Sequence, residues 1–107
     1  VDGNQAEIVA GLRAVGCTVA IISEPVDLLV GYVAKGKWGG PRNALMEVKT
    51  PGGKLNEGQS EFFETWRGQV STVHSLSEAL EVIGMGHLPW KDPTTGKANH
   101  PDVRRQK

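Results

Sequence analysis

Three short apolar runs separated only by turn residues restrict this chain more than any other feature. They are Cys17 to Ile22, Asp27 to Val33 and Asn43 to Thr50, rich in β-branched residues. Gly36, Gly39, Gly40 and Pro41 punctuate the second gap, and Pro51-Gly52-Gly53 stops the third run. Runs of this length between glycine and proline read as strands joined by turns. A fourth run, Gln69 to His74, comes only after a helix-length interval and so returns to the sheet through a crossover. Helical stripes supply the rest. Ile8, Val9, Leu12 and Val15 share one face of residues 4–15, with Asp2 or Asn4 to cap its start and Gly16 to end it. A second helix runs from Asn56 to Gly68 with Phe62, Phe63 and Trp66 on its buried side. A third opens at Ser75 or Ser77, carries Leu76, Ala79, Leu80 and Ile83, and closes at Gly84. The order α-β-β-β-α-β-α predicts an α/β fold, a mixed sheet flanked by helices.

With 107 residues the chain is sized for one domain, placed here at 1–86. Residues 87–107 read as an irregular tail in which Leu88, Trp90 and Val103 are the main apolar side chains. No run of about 18 apolar residues is present, so no membrane span is expected. The single cysteine, Cys17, has no internal disulfide partner. It points to a reducing compartment, as expected of a small cytosolic domain.

Twelve basic and twelve acidic residues cancel, which excludes a polybasic wrapper that binds by bulk charge. The charges are nevertheless sorted into blocks. Residues 1–32 carry −3, residues 33–54 carry +4, residues 55–86 carry −4 and the last 21 carry +3. The basic block holds Lys35, Lys37, Arg42, Lys49 and Lys54, a candidate anion-binding face. Simple solvation of these side chains is the alternative.

Local rules break in the third strand. Ala44-Leu45-Met46-Glu47-Val48-Lys49 has the apolar neighbours of a buried strand, yet carries a carboxylate and an ammonium two residues apart. Positions i and i+2 face the same side, so Glu47 and Lys49 point together while Met46 and Val48 enter the core. Removing such charges from water costs several kcal/mol per ion unless they are well partnered. A strand end that keeps them is building a site, or else holds a plain surface ion pair. Asp27, just after Pro25-Val26, opens the preceding strand. An antiparallel pairing of the two strands brings Asp27 beside Glu47. Two carboxylates about 4 Å apart repel by about 4 kcal/mol at an effective dielectric near 20. Either one takes a proton or a cation lies between them. Oxygen ligands suit Mg²⁺ or Mn²⁺. The alternative for Asp27 is a turn residue.

These residues resemble the PD-(D/E)XK nuclease superfamily, and within it the VRR-NUC (virus-type replication-repair nuclease) branch. The resemblance spans roughly residues 4–84 and rests on a Glu-bearing first helix, Asp27 in "EPVDLLVGY", and Glu47, Lys49 and Gln59 in "ALMEVKTPGGKLNEGQ". It implies a restriction-endonuclease-like core and metal-dependent cleavage of DNA phosphodiester bonds. Asp27 and Glu47 then resemble the metal-binding carboxylates and Lys49 the catalytic lysine. In such folds the peptide carbonyl at the position of Val48 often completes the metal site, and Glu7 resembles the first-helix acid that approaches the metal directly or through water. Gln59 becomes a group near Lys49, although Asn56-x-x-Gln59 also fits a capping box. Glu7, likewise, also reads as an exposed carboxylate near a helix start. Stand-alone members resemble resolvases of four-way junctions and other branched DNA, which implies a homodimer. Lys35, Lys37, Arg42 and Lys54 are then expected to contact phosphates near the site. One departure stands out: Val26 separates Pro25 from Asp27, and the adjacent Pro101-Asp102 follows Glu47 in the wrong order. The rival reading is a non-catalytic nuclease-fold module that binds nucleic acid or a replication or repair protein.

Other motifs fall away. "TPGGKLN" lacks the Ser or Thr that a phosphate-binding Walker loop needs after its lysine. His74, His87 and His100 lack zinc-ligand spacing and read as solvated or packing residues. Cys17 sits in an apolar run and reads as a packing residue.

Overall fold

A computed structural model describes residues 4–85. The elements are α1 (Gln5–Ala14), β1 (Thr18–Ile21), β2 (Leu28–Ala34), β3 (Gly40–Val48), α2 (Glu57–Thr65), β4 (Ser71–Val73) and α3 (Leu76–Val82). Their sequence follows the expected order. The expected tail, with Trp90, His87 and His100, lies outside the described residues.

The four strands form one sheet in the order β1-β2-β3-β4. The first three make an antiparallel meander, and β4 joins β3 in parallel after the α2 crossover. Tight turns allow the antiparallel pairs, whereas a parallel neighbour needs the longer excursion. The sheet is therefore mixed, as expected.

Alternation along the strands separates two faces. Val19, Leu28, Val30, Ala44, Met46, Val48 and Val73 enter one core with Ile8, Val9 and Leu12 of α1 and with Leu76, Ala79, Leu80 and Ile83. Each Val, Leu, Ile or Met of this set contributes about 1.5–3 kcal/mol when fully buried, so α1 and α3 are bound firmly to this face. Cys17 belongs to the same cluster, and burial pushes its thiol pKa up, which keeps it an unreactive packing residue.

Both core helices end alike. Past α1, Gly16 has φ +101°, its N–H donates to Arg13 O and the Cys17 N–H donates to Leu12 O. Past α3, Gly84 has φ +81°, its N–H donates to Glu81 O and the Met85 N–H donates to Leu80 O. Each is a Schellman stop, and glycine supplies the left-handed residue it requires.

The second helix departs from expectation. It ends at Thr65 rather than at Gly68, and none of its residues is buried. Phe62 and Phe63 are half-buried, and Trp66 is 45% exposed. The apolar stripe exists, but α2 lies over the second face of the sheet, which it covers only in part. Its start is fixed by Asn56, whose Oδ1 accepts from the Gln59 N–H at 2.9 Å.

Candidate active site

The site is set by strand register. Leu28 stands opposite Met46 at the last antiparallel pair of β2 and β3. One further step brings Asp27 opposite Glu47, and residues directly opposite in such a ladder share a face. Leu28 and Met46 point into the core, so Asp27 and Glu47 point to the other side. The carboxylates therefore meet as the sequence predicts.

Glu47 is 3% exposed, the one buried carboxylate among the described residues. Its Oε2 accepts from Gln59 Nε2 at 2.6 Å and lies 3.6 Å from Lys49 Nζ. Burial raises the Glu47 carboxyl above the ordinary glutamate range, and the neighbouring Asp27 charge raises it further. The Lys49 ammonium pulls it back only in part. Asp27 is held as well, because its Oδ2 accepts from the Val48 N–H at 2.9 Å. The carbonyl and N–H of a strand residue point to the same edge. The Val48 carbonyl thus faces the side on which Asp27 stands.

Gln59 makes the capping box and, at the same time, a hydrogen bond to Glu47. Its Oε1 accepts from the Asn56 N–H at 2.9 Å, completing the capping box, while its Nε2 donates to Glu47. The first turn of α2 is thereby fastened to the buried carboxylate.

Asn4 has a role that sequence reasoning missed. It occupies the N-cap position of α1 but makes no side-chain bond to the helix amides. Its Nδ2 donates instead to Lys49 O at 3.1 Å and to His74 O at 2.8 Å. This clamp joins the start of α1 to the ends of β3 and β4, just where the Lys49 side chain leaves the sheet. A capping signal alone could not reveal partners 45 and 70 residues away. His74 is neither free nor in the core: its Nδ1 lies 2.9 Å from Glu78 Oε1.

Other expected site residues are placed elsewhere. Glu7 is exposed, about 100–160° around the helix from the buried residues Gln5, Ile8, Val9 and Leu12. It does not complete a cluster with Asp27 and Glu47, since no group of three or more His, Cys, Asp or Glu able to hold a metal occurs among the described residues. Lys35, Lys37 and Arg42 belong to the hairpin end of β2 and β3. That end is six strand residues from Met46, about 20 Å at the usual rise. The expectation that they contact phosphates near the site is corrected, because the turn of a hairpin and its open end lie at opposite ends of the strands. Arg42 is turned onto the Trp38 carbonyl, and Lys37 Nζ sits 5.6 Å from the Trp38 ring centre. Lys54 alone of the four is on the site side, exposed in the loop between β3 and α2.

The donor set fits a small hard cation. Two adjacent carboxylates, one of them destabilised in its charged form, each have an oxygen beyond those used by Val48, Gln59 and Lys49. Mg²⁺ commonly takes one or two carboxylates and fills its remaining positions with water and phosphate oxygens. Compared with protein-family models, curated proteins and solved structures, the chain has no match. No helix among the described residues is long and apolar enough to cross a membrane.

Proposed function

We propose that this chain is a metal-dependent, structure-specific DNA endonuclease with a restriction-endonuclease-like core of the VRR-NUC type. One observation carries the reading: a buried Glu47 shares its position with Asp27 and lies 3.6 Å from Lys49 at an open sheet end. A surface ion pair has no need of a second carboxylate or of a glutamine clamp.

Asp27 and Glu47 would hold Mg²⁺ or Mn²⁺, with the Val48 carbonyl as a third oxygen. When bound, such an ion polarises a scissile phosphate and lowers the pKa of a bound water. The protein groups do the remaining work. Lys49, its side chain 17% exposed, presents an ammonium to the charge that develops on the phosphate in the in-line transition state. Val48 N–H and Gln59 Nε2 fix the two carboxylates, so the pair is positioned before a ligand arrives. Asn4 holds the Lys49 carbonyl and with it the strand end from which the ammonium extends. Products carry 5′-phosphate and 3′-hydroxyl ends. Cutting both strands of a four-way junction with one site per chain calls for a homodimer.

Loss of the glutamine separates positioning from folding. Gln59→Ala lowers Mn²⁺ affinity by about 10–100-fold, the usual effect of removing a partner of a metal ligand. The lost half of the capping box costs stability of about 0.3–1.5 kcal/mol. Calorimetric titration and a thermal melt read the two effects independently.

The reading is tested with duplex, flap, splayed and four-way DNA in Mg²⁺, Mn²⁺ or chelator. Cleavage of a branched substrate that stops with chelator is the expected outcome. Metal-independent binding without cleavage of any substrate would leave the non-catalytic module instead.

A further inference from the structure

The face that carries Asp27 and Glu47 continues along the same two strands into a groove. Successive opposite pairs on this face are Asp27 with Glu47, then Leu29 with Leu45, then Gly31 with Asn43. The ladder passes from a carboxylate pair to an apolar floor, and then to a position where one strand has no side chain and the other an exposed amide. Pro25, Leu29, Asn43, Leu45, Trp66 and Gln69 line a cavity of about 460 Å³ there. Ligand pockets commonly measure about 300–1,000 Å³.

Its aromatic wall, Trp66, is held from two sides. The Trp66 ring stacks on Phe62, with centres 5.2 Å apart and planes 26° from parallel. The indole also closes over Gly68, where a Cβ would sit 2.8 Å from Trp66 Nε1. Gln69 is fixed beside it, its Oε1 accepting from the Leu45 N–H and its Nε2 donating to Ser71 Oγ. Beyond Asn43 the same track runs toward the basic hairpin of Lys35, Lys37 and Arg42.

We infer that this groove takes one unstacked nucleobase of the DNA strand whose phosphate is held at Asp27, Glu47 and Lys49. The inference rests on the nuclease reading and names what that site recognises besides phosphate. A planar base matches an apolar floor with an indole wall, and its edge faces the Asn43 amide, a side chain suited to base edges. The groove begins one same-face step from Glu47, about 7 Å along the strand, so the base and the held phosphate belong to neighbouring nucleotides. The distant basic hairpin then meets phosphates further along the strand, which gives those lysines a place the site itself does not offer them. Access to an unpaired base also favours branched, flapped or splayed DNA over intact duplex.

The test moves a single abasic residue through labelled splayed and four-way substrates, with binding measured in Ca²⁺ and cutting in Mg²⁺. Binding falls about 5–150-fold, the effect of losing one base–aromatic stack, at one position within two nucleotides of the cut and nowhere else. Trp66→Ala removes that position dependence, and Gly68→Ala, which displaces the indole without touching the core, weakens it. Mn²⁺ titration of both variants stays as in the wild type. A flat abasic profile in a wild-type protein that binds and cuts DNA overturns the groove and leaves the nuclease reading intact. Failure to bind or cut any substrate removes both. A flat profile with a dimer that dissociates on Trp66→Ala assigns the groove to a second copy and also overturns the inference.

Discussion

Lys49→Ala reduces DNA cleavage by about 10²–10³-fold or more, the usual effect of deleting a charge-stabilising donor at a reacting centre, while the protein still folds. Among the described residues Lys49 is the one cation whose charge lowers the Glu47 carboxyl, against burial and Asp27, which both raise it. Without it, Glu47 moves further above the ordinary range. Removing one partner of a fully buried ion pair commonly costs about 3–5 kcal/mol. Here the loss is smaller, because Lys49 is partly solvated and Glu47 escapes its unpaired charge by taking a proton. Lys49→Met, which keeps the aliphatic stem, separates packing from charge: it matches alanine in cleavage and the wild type more nearly in melting temperature. Single-turnover cutting with saturating Mn²⁺ checks the first effect, and carboxyl-resolved NMR titration of Glu47 checks the second. Wild-type turnover in either variant removes Lys49 from the chemistry.

Glu47→Gln has opposite effects on stability and on activity. A carboxyl raised in the folded protein above the ordinary glutamate value binds its proton more tightly folded than unfolded. Its contribution to stability is complete below the unfolded value and is lost as pH rises through the folded one. At neutral pH, without a cation, the buried carboxylate is therefore a liability. Glutamine removes it and still accepts the hydrogen bond from Gln59. The variant melts higher than the metal-free wild type at pH 7, and the difference vanishes toward pH 4. Cleavage is lost in the same variant, because a neutral amide cannot replace a charged ligand. Added Mg²⁺ raises the melting temperature of the wild type, more at pH 8 than at pH 6 because the ion competes with a proton, and leaves Glu47→Gln unmoved. A lower melting temperature for Glu47→Gln at pH 7 would show that the Lys49 pair outweighs burial.

Much of the arrangement was legible because it depends on local rules that agree. Glycines at 16 and 84 marked true helix stops, and turn residues between apolar runs forced the antiparallel meander. Once β2 and β3 were antiparallel, Asp27 had to approach Glu47, and period-two alternation put Lys49 on the same face. Burial of α2 was not legible. A stripe of Phe62, Phe63 and Trp66 records that a face is apolar, not whether another element covers it, and here the sheet offers a groove rather than a core. The ends of α2 illustrate the same limit. Asn56 announced the start through its capping box, whereas Gly68 serves the Trp66 indole and stops nothing. Charge blocks misled for a geometric reason. Residues 33–54 include both the turn of a hairpin and its open end, so Lys35 and Lys49 share a block but lie at opposite ends of the strands. The Asn4 clamp left no trace, since an asparagine before a helix reads as a cap whatever its amide does.

The shared ion is tested most directly by calorimetric titration of Mn²⁺ into the wild type, Asp27→Asn and Glu47→Gln at pH 7 in two buffers of different ionisation heat. Saturable binding with proton release in the wild type, abolished or greatly weakened in each variant, is the predicted result. Binding of equal strength in all three proteins, or none in the wild type, would contradict it.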